Sequence, residues 1–190
     1  GKYSNMGAID MDTYPHTMRS GMKNEDLRLE FWGWNFIADR DTTLNIRYDR
    51  MEVYGLHAFQ IPGGVPAYQI YVRPMSLTRF LAEKGIENAQ HKEDLSGVIQ
   101  AASVEIAKCD NLAPAIDKVG IKVWIDGEEV PVLMKQQIKE YYEATEYGIA
   151  YYLTVGIPQK RTSLPYQIVK VELTDLENGD CLLYTSDAAD

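Results

Sequence analysis

The sequence is poor in the residues that carry most protein chemistry. Its 190 residues include two cysteines and three histidines, His16, His57 and His91. Two thiols exclude a disulfide-dense scaffold, and no Cys/His spacing suits a structural zinc. Cys109 falls on the apolar side of an expected helix and reads as a small core residue. Such sparing use of cysteine agrees with a reducing, cytoplasmic setting. No Gly-x-Ser-x-Gly elbow, His-Glu-x-x-His, Gly-x-x-x-x-Gly-Lys or Gly-x-Gly-x-x-Gly occurs, so no familiar hydrolase, metalloprotease, P-loop or dinucleotide signature is present. No apolar run approaches the ~20 residues of a membrane helix, and no basic-then-apolar stretch marks a secretory signal. Positive charge is scarce as well, with 19 Lys and Arg against 28 Asp and Glu and a net charge of −9. That surface repels phosphate backbones, and its cations come in pairs such as Lys160-Arg161; nucleic acid is therefore an unfavoured partner.

What is present describes an ordinary folded domain. Hydrophobic content of 45% and charged content of 25% are globular values. A single domain is expected over 25–180, preceded by an arm or loop over 1–24 rich in Met, Gly and polar residues. A chain of about 180 residues buries roughly 70% of its unfolded surface, enough for a core without staples.

The last ten residues, Cys181 to Asp190, stand apart. They can be coded as TGT CTC TTA TAC ACA TCT GAC GCT GCC GAC, which resembles, in one frame, the transposon end and read primer of tagmentation sequencing libraries. The resemblance implies a non-native, adapter-derived tail, a gene read from an uncultured community, and a natural protein that continues past Asp180. Without Asp187 and Asp190 the net charge is −7. Gly1 is not an initiator; Met6 is the first residue that could be one.

Hydrophobic periodicity predicts the elements. Leu27, Leu29 and Phe31 alternate with Arg28, Glu30 and Trp32, the period of a half-buried strand, and Gly33 interrupts it as a bulge would. Further strands are expected over Thr43 to Tyr54 and Ala67 to Arg73. Ser76 is placed to cap a helix running to Lys84. Asp94 caps a second, whose Leu95, Val98, Ile99, Ala102, Ile106 and Cys109 form one apolar stripe. Ile121, Val123 and Ile125 lead into Asp126-Gly127, a hairpin signal, with Val130 and Val132 beyond it. A third helix is expected from Leu133 to Tyr147, with Glu140, Glu143 and Glu146 along one side, then strands over Ile149 to Ile157 and Tyr166 to Leu173. The order β-β-β-α-α-β-β-α-β-β lacks strict alternation, so the expected class is α+β: a mainly antiparallel sheet with about three helices packed on it.

Two sets of residues invite function. Asp10 and Asp12, with His16 nearby, could hold Mg²⁺ or Mn²⁺ through hard oxygen ligands in a metal-dependent hydrolase. Ala8-Ile9-Asp10-Met11-Asp12-Thr13 resembles the first motif of haloacid-dehalogenase-like phosphatases, which implies Asp10 as nucleophile and Asp12 as general acid. The long apolar strand and parallel sheet of that family are missing around it. The second set is aromatic: Phe31, Trp32, Trp34 and Phe36 crowd one strand, and Tyr68, Tyr71, Tyr141-Tyr142 and Tyr151-Tyr152 add to them. Alternation places Trp32 and Trp34 on the outer side of their strand, where exposed rings serve a protein partner, a sugar or a nucleobase. Trp32, Trp34, Tyr68 and Tyr71 are thus the expected binding residues. The leading expectation is a non-catalytic binding or assembly protein that meets a protein partner or itself. A protein sequestering a nucleotide or sugar is the alternative. An orphan frame of this kind is expected of a phage or mobile element.

Overall fold

About half of the described chain, 49%, is strand, much of it with period-two alternation. The computed structural model describes residues 4–18, 21–84, 112–141, 144–160 and 162–189. Among the described residues its strands are β1 (Ser4–Ala8), β2 (Phe31–Phe36), β3 (Met51–Gln60), β4 (Tyr68–Ser76), β5 (Val119–Ile125), β6 (Glu128–Val130), β7 (Val132–Tyr141), β8 (Tyr147–Val155), β9 (Tyr166–Asp175) and β10 (Cys181–Ala189), with one α-helix, α1 (Leu77–Glu83). They form two sheets. One has the order β1-β2-β10-β9-β5-β6, the other β3-β4-β8-β7. Among the described residues every neighbouring pair is antiparallel except β2 with β10.

Alternate residues of both sheets meet in one core. Val53, Ile70, Val72, Tyr151, Leu153 and Val155 come from the four-stranded sheet; Val123, Ile125, Val169, Val171, Leu173 and Leu182 come from the other. Each such side chain, fully buried, contributes about 1.5–3 kcal/mol. The result is a β-sandwich. A smaller cluster closes one end, where Met75, Leu77, Phe80 and Leu81 of β4 and α1 pack on Leu27, Leu29 and Met18.

This architecture corrects the α+β expectation with its three helices: within the described residues it is mostly antiparallel sheet. The capped helix is present, and the Ser76 hydroxyl accepts from Arg79 N at 3.2 Å. The helix from Asp94, with His91 and Cys109, lies outside the described residues. The helix over Leu133 to Tyr147 is instead β7 and the start of β8. Leu, Met, Lys, Gln and Glu all favour helix, but intrinsic preference is worth only tenths of a kcal/mol per residue. Pairing with β8 from Val132↔Val155 to Tyr141↔Tyr147 outweighs it.

Two local features follow their chemistry. Asp126 and Gly127 have φ of 51° and 80°, the positive values a type I′ hairpin turn requires. In β3 the register slips between Tyr54 and His57, and Gly55 at φ 66° supplies the bulge. The ladder starts at Met51, not Thr43, because 41–49 forms no regular structure.

A buried ion pair ties the C-terminal loop to this frame. Asp180 accepts from Ser76 Oγ at 2.6 Å, Thr78 N and Thr78 Oγ1 at 2.9 Å, and Arg50 Nε at 3.1 Å. Arg50 in turn donates to the carbonyls of Asn24 and Leu27 and to Thr78 Oγ1. β10 then runs between β9 and β2, with Leu182 and Tyr184 buried.

Candidate functional site

The four expected binding residues divide between the two sides of the sheets. Trp32 and Trp34 stack on each other at 5.5 Å between ring centres and pack, partly buried, against the sandwich core. Trp34 Nε1 donates to Val53 O at 2.9 Å, and its ring meets Tyr54 edge-on at 6.4 Å. The pair therefore joins β2 to β3. Tyr68 is 5% exposed and belongs to the core. Tyr71 alone reaches the outer face of the four-stranded sheet, half-buried.

That outer face is a second aromatic surface, which sequence reasoning approached only through Tyr71. Strand register sets His57, Tyr71, Tyr152 and Gln136 side by side across β3, β4, β8 and β7. The next row holds Phe59, Gln69, Thr154 and Met134. Phe59 lies 5.7 Å from the His57 ring and 6.5 Å from Tyr152. Thr154 Oγ1 donates to Gln69 Oε1 at 2.9 Å, which fixes the polar part of the row. The signal that could have found it is the alternation of Gln69, Tyr71 and Arg73 against the buried Tyr68, Ile70 and Val72.

Among the described residues β7 borders this face as an edge strand, hydrogen-bonded on one side to β8. Leu133, Met134 and Tyr141 are 60%, 43% and 58% exposed. Lys135 and Lys139 lie between them, and Lys139 Nζ sits 4.1 Å from the Tyr147 ring centre.

A third group gathers where the N-terminal segment crosses β3. Met51 and Val53 enter the sandwich core, so Glu52 and Tyr54 project from the other side of the strand. Glu52 is 1% exposed. Its Oε1 accepts from Tyr54 Oη at 2.8 Å, while Oε2 has no partner. Tyr54 Oη is also 3.5 Å from Glu30 Oε1, which receives Trp32 Nε1 at 3.3 Å. Burial, and then the charge of Glu30, hold the Glu52 carboxyl well above the usual carboxylate range. Burial and the neighbouring carboxylates also raise the hydroxyls of Tyr54 and Tyr14.

Asp10, Asp12 and His16 do not converge. Asp10 holds its own loop: Oδ1 accepts from Asp12 N and Oδ2 from Thr13 Oγ1, both at 3.0 Å. Asp12 is exposed, and His16 lies against Tyr14 at 5.6 Å between rings. Among the described residues no three His, Cys, Asp or Glu side chains gather as a metal site. A polar surface depression of about 510 Å³ lies over Arg50, Thr78 and Asp180, bordered by Lys23 and Asn24. Its floor is the ion pair described above. No helix among the described residues is long and apolar enough to cross a membrane.

No family model matches the chain, and neither the curated proteins nor the solved structures include a match to it.

Proposed function

We propose that this protein is a non-catalytic binding and assembly module whose contact surface is the β7 edge with the adjoining outer face of the four-stranded sheet. One observation carries the reading: a ten-residue edge strand exposes Leu133, Met134 and Tyr141 to solvent. An edge of that length offers unpaired backbone groups, and natural proteins usually shorten, cover or charge such edges unless they use them. Addition of a strand from another chain would supply main-chain hydrogen bonds, with side chains on alternate positions giving selectivity. The cluster of Phe59, Tyr71 and Tyr152 on the adjoining face favours, as a second reading, a flat ring such as a sugar held by stacking. A cytoplasmic setting and a phage or mobile-element origin belong to the same proposal.

A second copy of the chain is the partner that is testable at once. The wild-type chain should sediment as a dimer at micromolar concentration, and Leu133→Lys with Met134→Lys should sediment as a monomer. Stability of each single variant should stay within about 0.5 kcal/mol of wild type, because both side chains are exposed. A wild-type chain that stays monomeric at every concentration would remove self-assembly.

A further inference from the structure

We infer that Glu52 and Glu30 form a proton-dependent latch that holds the segment 21–30 on β3 while Glu52 is protonated and loosens it as that proton is lost. The geometry argues for the proton. Glu52 is buried, and Oε2 lacks any donor while Oε1 uses the Tyr54 hydroxyl. An ionised carboxylate left in that state costs several kcal/mol, whereas a carboxyl group can donate. Glu30 crowds the same point, since the Tyr54 hydroxyl lies 2.8 Å from Glu52 Oε1 and 3.5 Å from Glu30 Oε1. Protonation of Glu52 therefore removes a buried charge left short of donors and the repulsion between two carboxylates.

Few groups oppose this. From β3 itself comes Tyr54, and from the segment before β2 come Glu30 and Tyr14, with His16 against the Tyr14 ring. β10 contributes Tyr184, whose hydroxyl donates to Glu30 O at 2.6 Å, and Asp49 acts on it from the loop before β3. Among the described residues the cation acting on Glu52 is Arg73 of β4, and its guanidinium is shared with Glu140 at 3.1 Å and the face of Tyr54 at 5.4 Å. The segment that the latch holds is otherwise attached by backbone bonds such as Leu29 N to Asp49 O at 2.8 Å and by Leu27 and Leu29 in the small cluster.

The sign follows from linkage. A carboxyl whose folded-state pKa is raised contributes stability that is complete below about pH 4.5, its ordinary value, and is lost as pH rises through the folded value. Wild-type protein should thus lose thermal stability between pH 5 and pH 8. Glu52→Gln keeps a donor for Glu30 and cannot ionise. Its Tm should exceed that of wild type at pH 8 by ~3 °C or more and converge with it at pH 5. Protease cleavage within 21–30, compared at pH 8, should slow in the variant. Glu30→Gln removes the like charge from the other side and should flatten the same pH slope. Equal pH slopes in wild type and both variants, or a loss of Tm in Glu52→Gln that is the same at pH 5 and pH 8, would overturn the latch.

Discussion

Replacement of Asp180 by alanine is expected to destabilise the protein by about 3–5 kcal/mol, the usual cost of removing one partner from a buried ion pair. The carboxylate is almost fully enclosed and serves four donors from three parts of the chain: Arg50 before β3, Ser76 at the end of β4, and Thr78 in α1. Its loss takes the counter-charge from Arg50, which keeps only neutral acceptors, and the acceptor from the Ser76 hydroxyl. Asp180→Asn should fall between alanine and wild type, since an amide oxygen still accepts from Thr78 N but cannot neutralise Arg50. Urea unfolding of the three proteins measures the order. A loss below about 1 kcal/mol for alanine would mean that water replaces the carboxylate and the node contributes little.

The second large effect concerns β10. A chain ending at Asp180 should lose its cooperative unfolding transition, because residues 181–189 form nine antiparallel pairs with β9 and separate it from β2. Burial of Leu182 and Tyr184 alone contributes about 3–6 kcal/mol, comparable to the whole net stability of many domains. Leu182→Asp, which leaves the backbone ladder intact, should reproduce much of the loss. Near-ultraviolet circular dichroism and a thermal melt report both. The resemblance of Cys181 to Asp190 to a sequencing adapter gives this deletion added interest. A truncated chain with unchanged Tm would place another pairing between β2 and β9 and leave the ten residues dispensable.

Several local elements were legible in the sequence, although the expected α+β class was not what formed. The Asp126-Gly127 turn, the alternation on either side of it and the Ser76 cap depend on neighbours one to four residues away, and such signals survive in any tertiary setting. β7 was not legible, because its residues prefer helix and its partner β8 lies across a turn. β1 was hidden for a different reason: Ser4–Ala8 has no apolar alternation and owes its pairing to β2. The candidate site shows the same division. Histidines, tryptophans and tyrosines could be named, but the side each ring takes depended on a bulge at Gly55 and on how β2 meets β3. Trp32 and Trp34 were expected outside; both pack partly buried against the sandwich core, and Trp34 donates to Val53 O of β3. The Glu30–Glu52 encounter joins residues 22 positions apart with no motif to announce it.

The conflict inside β7 has a consequence for the chain away from its native state. A detached Leu133–Tyr141 segment has no local reason to stay extended; its residues would coil toward helix or dissolve, and Lys135 and Lys139 would repel a stacked copy of themselves. The strand offered at the edge of the folded protein is therefore a poor seed for fibrils once unfolded. The adhesion proposed for β7 is thus conditional on being folded.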